Sequence, residues 1–144
     1  HLIDLAPTFY DLAKASYPTK FNGLTTHGLP GKSIVPVLAG VAQEVNREEP
    51  IFWERAGNRA VRRGKWKLVS DFEKGNKWEL YNLENDRGET TDVAEQHPEV
   101  VRARSFEFQR WAVRNGVVDY ETIKPQNAIP AGTQRTNSTA SKSN

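Results

Sequence analysis

The sequence predicts an α+β fold: a small four-stranded antiparallel sheet packed against one long helix, preceded by a separate helix and loop. Three observations predict it. Short apolar and aromatic stretches, separated by tight turn signals, run from Ile51 to Leu83. A long stretch with helical spacing follows from His97 to Gly116, and a dense apolar stripe opens the chain. The 144 residues suffice for one domain and barely for two. A folded chain of this size buries about 70% of its unfolded surface, so a core is attainable.

The opening helix is read from "HLIDLAPTFYDLAKA", where Leu2, Leu5, Ala6, Phe9, Leu12 and Ala13 recur at three- and four-residue steps. Asp4 is placed to cap its first turn, and Pro7 is tolerated there because early helical N–H groups lack partners. So dense a stripe wants a partner surface. From Tyr17 to Gly40, Pro18, Asn22-Gly23, Gly28, Pro30-Gly31 and Pro36 predict a loop with turns rather than sheet. Within it, "GKSIVPVLAG" is expected to be an extended segment or one helical turn.

The strands follow. "IFWE" is apolar with no helical period, and "NRAVRR" and "KWKLVSDF" are joined through Arg63-Gly64-Lys65, with Gly64 supplying the positive φ of a tight turn. "GNKW" turns the chain again into "WELYNL", which ends at the turn-rich "ENDRGE". Four short strands so connected imply an antiparallel meander. In the long helix, His97-Pro98 and Glu99 suit the start, and Arg114 with Gly116 suits the end. Val101, Phe108, Trp111 and Ala112 share a face, with Ala103 nearby, to lie on the sheet. After Ile123 the sequence is dominated by Ser, Thr, Asn, Gln, Pro and Gly, and a disordered polar tail over 124–144 is expected. The triplet Asn137-Ser138-Thr139 fits a glycosylation sequon but carries no weight in such a tail.

Charge excludes one function class. Five of the ten residues from Asn58 to Lys67 are Arg or Lys, yet from Glu79 to Glu95 six acids face Arg87 alone, and the net charge is +2. A nucleic-acid domain keeps its positive excess more uniform, so no nucleic-acid partner is expected. The basic stretch reads instead as a strand pair whose apolar residues turn toward the helix, with Arg and Lys facing solvent, a neighbouring domain or an anionic substrate. No apolar run approaches the ~20 residues of a membrane span. With no Cys there is neither disulfide nor thiolate chemistry. The chain opens on His1 and holds no Met, so we expect a piece of a longer protein.

Catalytic machinery is not expected within it. No G-x-S-x-G elbow, Walker loop or zinc-type histidine spacing is present among His1, His27 and His97. "ENDRGETTD" does not follow the calcium-loop pattern and reads as a solvated acidic turn.

"FWERAGNRAVRRGKWKLV" followed by "KWELYNLENDRGETTDVAEQHPEVV" resembles the C-terminal part of bacterial arylsulfatases, a sulfatase family of the alkaline-phosphatase-like superfamily. "HLIDLAPTFYDLAKASYPTKFNGL" and "GKSIVPVLAG" are similar to the family's preceding helix and linking segment, so the resemblance covers Leu2 to about Ile123. It implies three parts: 1–43 as the last helix and exit loop of a large α/β catalytic domain, 44–123 as the sulfatase subdomain, and 124–144 as the tail. It implies a parent that hydrolyses sulfate esters with a formylglycine nucleophile and a bound Ca²⁺. The Cys/Ser-x-Pro-x-Arg motif and the metal-binding Asp and Asn positions of the family are absent from this sequence. The chain alone is therefore expected to be inert, with no catalytic and no metal-binding residue of its own.

Substrate recognition is what such a segment can still contribute. Arg55 stands where the family often has His, in Trp53-Glu54-Arg55-Ala56-Gly57-Asn58-Arg59. Its guanidinium offers a planar fork for a sulfate or carboxylate; the alternative is a solvated strand end. Asn58 and Arg59 are candidates for the same pocket rim, or for bracing the interface between the small and large domains. Trp53, Trp66, Trp78 and Trp111 read as packing, with a sugar-stacking platform as the alternative for one of them. The implied partners are a sulfated small molecule or polysaccharide and the catalytic domain absent from this sequence. The implied location is periplasmic or extracellular. Two other readings stand beside this one: a noncatalytic anion- or partner-binding β–α module, and the C-terminal part of a related phosphoesterase.

Overall fold

The structure is a computed structural model and describes residues 1–127, with side chains through Lys124. The expected tail, with its sequon, lies outside the described residues from 128 onward. The chain forms two compact units, His1–Pro50 and one beginning at Ile51, so the division falls later than the expected 43/44 boundary.

In the first unit a 3₁₀ turn, Leu2–Asp4, leads into α1, Leu5–Leu12. The packed side of this helix is polar. Asp4 and Thr8 are buried, whereas Leu2, Leu5, Phe9 and Leu12 are exposed. The segment Gly31–Ile34 lies along the polar side: Lys32 N–H donates to Asp4 Oδ1 (2.9 Å), Ile34 N–H to Thr8 Oγ1 (3.0 Å), and Ser33 Oγ to Asp11 Oδ2 (2.6 Å). A Cβ on Gly31 would meet the Ile3 carbonyl oxygen at 2.0 Å, so only glycine permits this approach. Asp4 does not cap α1 with its side chain, contrary to expectation. It instead receives Lys32 N–H and the Arg47 guanidinium. Burial raises its pKa, and the Lys32 N–H and Arg47 act against that to lower it.

The loop expected from Tyr17 to Gly40 contains a small hairpin, β1 Lys20–Phe21 and β2 Leu24–Thr25. Asn22 and Gly23 both take positive φ, the geometry of the two-residue turn that Asn-Gly favours. "GKSIVPVLAG" supplies a single helical turn, α2, Val35–Leu38.

The second unit is the four-stranded antiparallel sheet with the long helix. Strands β3 Ile51–Arg55, β4 Asn58–Arg63, β5 Trp66–Ser70 and β6 Trp78–Asn82 pair in sequence order. Gly64, with φ 57, makes the β4–β5 turn as expected. Cross-strand neighbours Phe52, Val61, Leu68 and Leu80 line one row of a single face. Val61, Leu68 and Leu80 are fully buried there, under Phe108 of α3, Pro98–Arg114. Phe52 stacks on Trp111 at 5.1 Å, and Val100, Val101 and Ala112 complete the contact. Ala103 is exposed rather than packed, because Val100 and Val101 meet the sheet instead.

Beyond β6, the segment before α3 covers the sheet edge. Asp92 Oδ1 accepts Leu80 N–H at 3.0 Å, and Val93 N–H donates to Leu80 O at 2.9 Å, so the outermost strand does not leave that residue's backbone unpaired. The acidic turn is held from within. Asp86 accepts the N–H groups of Thr91 and Thr90, both at 2.9 Å, and these bonds, Thr91 foremost, keep its carboxyl below the usual range.

A short helix that the sequence reading missed, α4 Tyr120–Asn127, closes the described chain and takes in residues 124–127 of the expected tail. Asp119 starts it, accepting Glu121 N–H at 3.1 Å. Among the described residues no helix is long and apolar enough to cross a membrane.

Candidate functional site

The candidate residues gather at one end of the sheet, around the turn between β3 and β4. In the strand register Arg55 pairs with Asn58 and Glu54 with Arg59. Side chains alternate across a sheet, so Arg55 and Asn58 share one face while Glu54 and Arg59 share the other. The structure therefore brings Arg55 and Asn58 together and sets Arg59 on the opposite side.

The turn itself is unusual. Ala56 and Gly57 have φ 50 and 84, the left-handed pair that a two-residue hairpin needs. An alanine there costs on the order of 1 kcal/mol. Three contacts hold the turn in place. Glu54 Oε1 accepts Gly57 N–H (3.1 Å), Asn58 Oδ1 accepts Phe72 N–H (3.0 Å), and the Phe72 ring sits against Gly57. Asn58 is thus a tie between the turn and the segment after β5. Arg55 is exposed, and its side chain makes no hydrogen bond or ion pair among the described residues.

Arg59 is half-buried. Its guanidinium lies 5.2 Å from the Trp78 ring centre and donates from Nη2 to Ser70 Oγ at 3.3 Å, while Nε is buried without a partner. The expectation that the basic residues turn away from the helix is corrected here. Strand alternation puts Arg59, Val61 and Arg63 on the helix face together, where Arg63 pairs with Glu107 of α3 at 2.7 Å. On the other face, Ala60 and Tyr81 are buried. Lys67 pairs with Glu89 and Lys65 with Glu84, so most of the basic stretch is neutralised locally.

Comparison with known protein families matches residues 1–105 to the C-terminal region of N-sulphoglucosamine sulphohydrolase. The chain belongs to this sulfatase C-terminal family. It is 30% identical over 121 residues to an uncharacterized sulfatase of Schizosaccharomyces pombe, covering 81% of this chain and 22% of that protein. It is 28% identical over 133 residues to a sulfatase of Formosa agariphila, covering 80% and 23%. Among solved structures it resembles Ps i-CgsB in complex with k-i-k-neocarrahexaose, with TM-score 0.58 and 28% identity over 76% of this chain and 23% of that one. A structure of BT4656 with D-glucosamine-2-N,6-O-disulfate shares the fold at TM-score 0.52 and 18% identity, over 86% and 25%. The chain thus spans about a quarter of the length of the sulfatases it matches.

Among the described residues no three His, Cys, Asp or Glu side chains converge to hold a metal ion.

Sequence reasoning missed a cleft beside the same turn. A cavity of about 500 Å³ opens between the sheet end, the C-terminal half of α3 and the start of α4. Glu54, Gly57 and Arg59 line it from the sheet, Ser105, Gln109 and Ala112 from α3, and Asp119, Tyr120 and Glu121 from α4, with Phe72, Asn76 and Trp78 between them. The signal for it was Asp119-Tyr120-Glu121, a helix start with an aromatic residue, hidden in a polar context.

Proposed function

We propose that this sulfatase segment belongs to a longer protein that hydrolyses sulfate esters of saccharides, and that the β3–β4 turn presents Arg55 to the substrate's anionic groups. The carrying observation is an exposed guanidinium that has no partner among the described residues, projected from a turn fixed by Glu54, Asn58 and Phe72. A fixed point of attachment matters because an Arg fork binds sulfate or carboxylate in a defined plane, and a turn backbone held beforehand need not be ordered on binding. The saccharide class is supported by Ps i-CgsB, whose structure holds a neocarrahexaose. Asn58 acts here by holding the turn, and Arg59 by bracing the sheet through Ser70 and Trp78.

The nucleophile and the Ca²⁺ ligands of such an enzyme would come from sequence outside this chain. Action in the periplasm or outside the cell follows from the family resemblance alone.

The test uses the longer protein. With a sulfated oligosaccharide, Arg55→Ala should raise KM about tenfold or more, the weight of a charge-assisted hydrogen bond, while kcat changes little. Arg55→Lys should recover part of the loss. An unchanged KM refutes the role of Arg55. The present chain should give no turnover of an aryl sulfate even with Ca²⁺ added, and turnover above background refutes the assignment of the chemistry to sequence outside it.

A further inference from the structure

The side of α3 turned away from the sheet is basic and partly apolar, where a solvated helix face ordinarily mixes charges of both signs. At 3.6 residues per turn, Arg102, Ala103, Phe106, Arg110, Val113 and Arg114 fall within about 120° of arc, along about 18 Å of helix. All six are exposed. Phe106 is 59% and Val113 83% exposed, so two large apolar side chains stand in water between the three cations.

No acid interrupts this stripe. Glu99 lies before it, in the first turn of α3 and 3.7 Å from His97. Glu107, at its border, is shared by Arg63 (2.7 Å) and Arg104, which leaves a surplus of positive charge there as well. Among the described residues the side chains of Arg102, Arg110 and Arg114 make no hydrogen bond or ion pair. Arg110 lies over the Phe106 ring, 5.9 Å from its centre, a contact that holds the guanidinium without using an acceptor. Arg114 offsets the negative end of the helix, but Arg102, in the N-terminal half, gains nothing from the helix dipole.

The spacing and the residue type narrow the ligand. Arg102 and Arg110 are eight residues apart, about 12 Å along the axis, too far for one sulfate-sized ion to bridge. A repeating anion fits. The helix uses four Arg and no Lys, and the guanidinium fork matches the oxygens of sulfate two at a time. Exposed Phe106 and Val113 call for apolar surface between the anionic groups, which a pyranose ring offers through its C–H face. A nucleic-acid duplex presents phosphates without that surface.

We propose that the outer face of α3 is an anchoring site for a sulfated polysaccharide, with Arg102, Arg110 and Arg114 taking successive sulfate groups and Phe106 and Val113 meeting the rings between them. The repeating anion is argued from the α3 face itself. The choice of a saccharide backbone rests also on the reading that the longer protein acts on sulfated saccharides.

The experiment is a ¹H–¹⁵N titration of the full 144-residue chain at low salt with three probes: a heparin hexasaccharide, a hyaluronan hexasaccharide bearing carboxylates but no sulfate, and a DNA duplex. Heparin should shift the backbone amides of Arg102, Phe106, Arg110 and Val113 saturably, with sub-millimolar affinity. Hyaluronan should bind about tenfold more weakly or worse, having fewer anionic groups for the forks. Arg102→Gln and Arg110→Gln should each weaken heparin binding about fivefold and each reduce the steepness of its salt dependence by about one. Phe106→Ser should weaken binding about threefold with that salt dependence unchanged, because it removes apolar contact and no charge. The replaced side chains are exposed, so the signals of Val61, Leu68 and Leu80 should stay in place in every variant. Arg55→Ala should leave heparin binding within about twofold of the parent, since a charge that makes no contact with the ligand is screened by salt. Loss of binding in that variant alone assigns the saccharide to the β3–β4 turn and overturns the α3 site. Absence of saturable shifts up to about 5 mM, undiminished affinity when Arg102 and Arg110 are both replaced, or equal affinity for hyaluronan or DNA each overturns the proposal.

Discussion

Replacing Gly57 by alanine tests the reading of the β3–β4 turn most directly. The residue has φ +84, where an L side chain costs about 1 kcal/mol. Its added Cβ would lie 2.6 Å from Phe72 Cδ2, 2.9 Å from Cγ and 3.1 Å from Cβ. Those atoms are the root of the ring rather than its tip, so rotating the side chain does not clear them. The ring is also confined elsewhere: Tyr120 meets it edge-on at 5.0 Å, and Lys124 Nζ sits 4.9 Å from its centre. Crowding of this kind adds about 1–3 kcal/mol. The expected loss in Gly57→Ala is therefore about 2–4 kcal/mol, a fall in Tm on the order of 10 °C for a unit of this size. Urea unfolding followed by tryptophan fluorescence measures it. In a Phe72→Ala background the crowding is gone, and the same substitution should cost only the ~1 kcal/mol of backbone strain. A Gly57→Ala variant within about 0.5 kcal/mol of the parent, or an equal cost in both backgrounds, refutes the argument.

Three further outcomes are expected. Ala56→Asn keeps the left-handed conformation at lower strain and should stabilise the second unit by about 0.5–1 kcal/mol in urea unfolding; destabilisation contradicts the strain assigned to Ala56. Leu68→Ala empties a fully buried position beneath Phe108 and should cost about 2–5 kcal/mol by the same measurement. Tyr81, raised by burial first and then by its 2.9 Å bond to Glu79, has its pKa pushed up to about 12. Because the folded value lies above the unfolded value of 10.0, its contribution is whole below pH 10 and is lost as pH rises toward 12. Absorbance titration near 295 nm (about the tyrosinate band) should show one late-titrating tyrosine that disappears in Tyr81→Phe, and the variant should lose less stability between those pH values.

The sheet was legible because its signals agree with one another. Short apolar stretches between turn signals marked the strands, and Gly64 and Gly75 marked turns that take positive φ; the strand register then sets Val61, Leu68 and Leu80 in one row. The Asn22-Gly23 hairpin carried the same kind of signal, but the surrounding Pro and Gly masked two strands of only two residues. The first helix misled for a physical reason. Its apolar stripe was plain, yet backbone N–H groups of Lys32 and Ile34 needed acceptors, and Asp4 and Thr8 supply them on the other side. At the candidate site, the turn was legible but the facing was not. A one-residue offset separates Asn58 from Arg59, and only the strand register shows that they look in opposite directions. The cleft needs α4, and Pro125 with the polar sequence after it concealed that helix.

Each strand of the sheet bonds only to strands adjacent to it in sequence, across connections as short as the Ala56-Gly57 and Gly64-Lys65 pairs. Such wiring brings partners together through small closures, so little chain entropy is lost before the first pairings form. The consequence is kinetic. From Ile51 onward the polypeptide can zip up strand by strand and then lay its long helix down, with nothing upstream of Ile51 required to start the process.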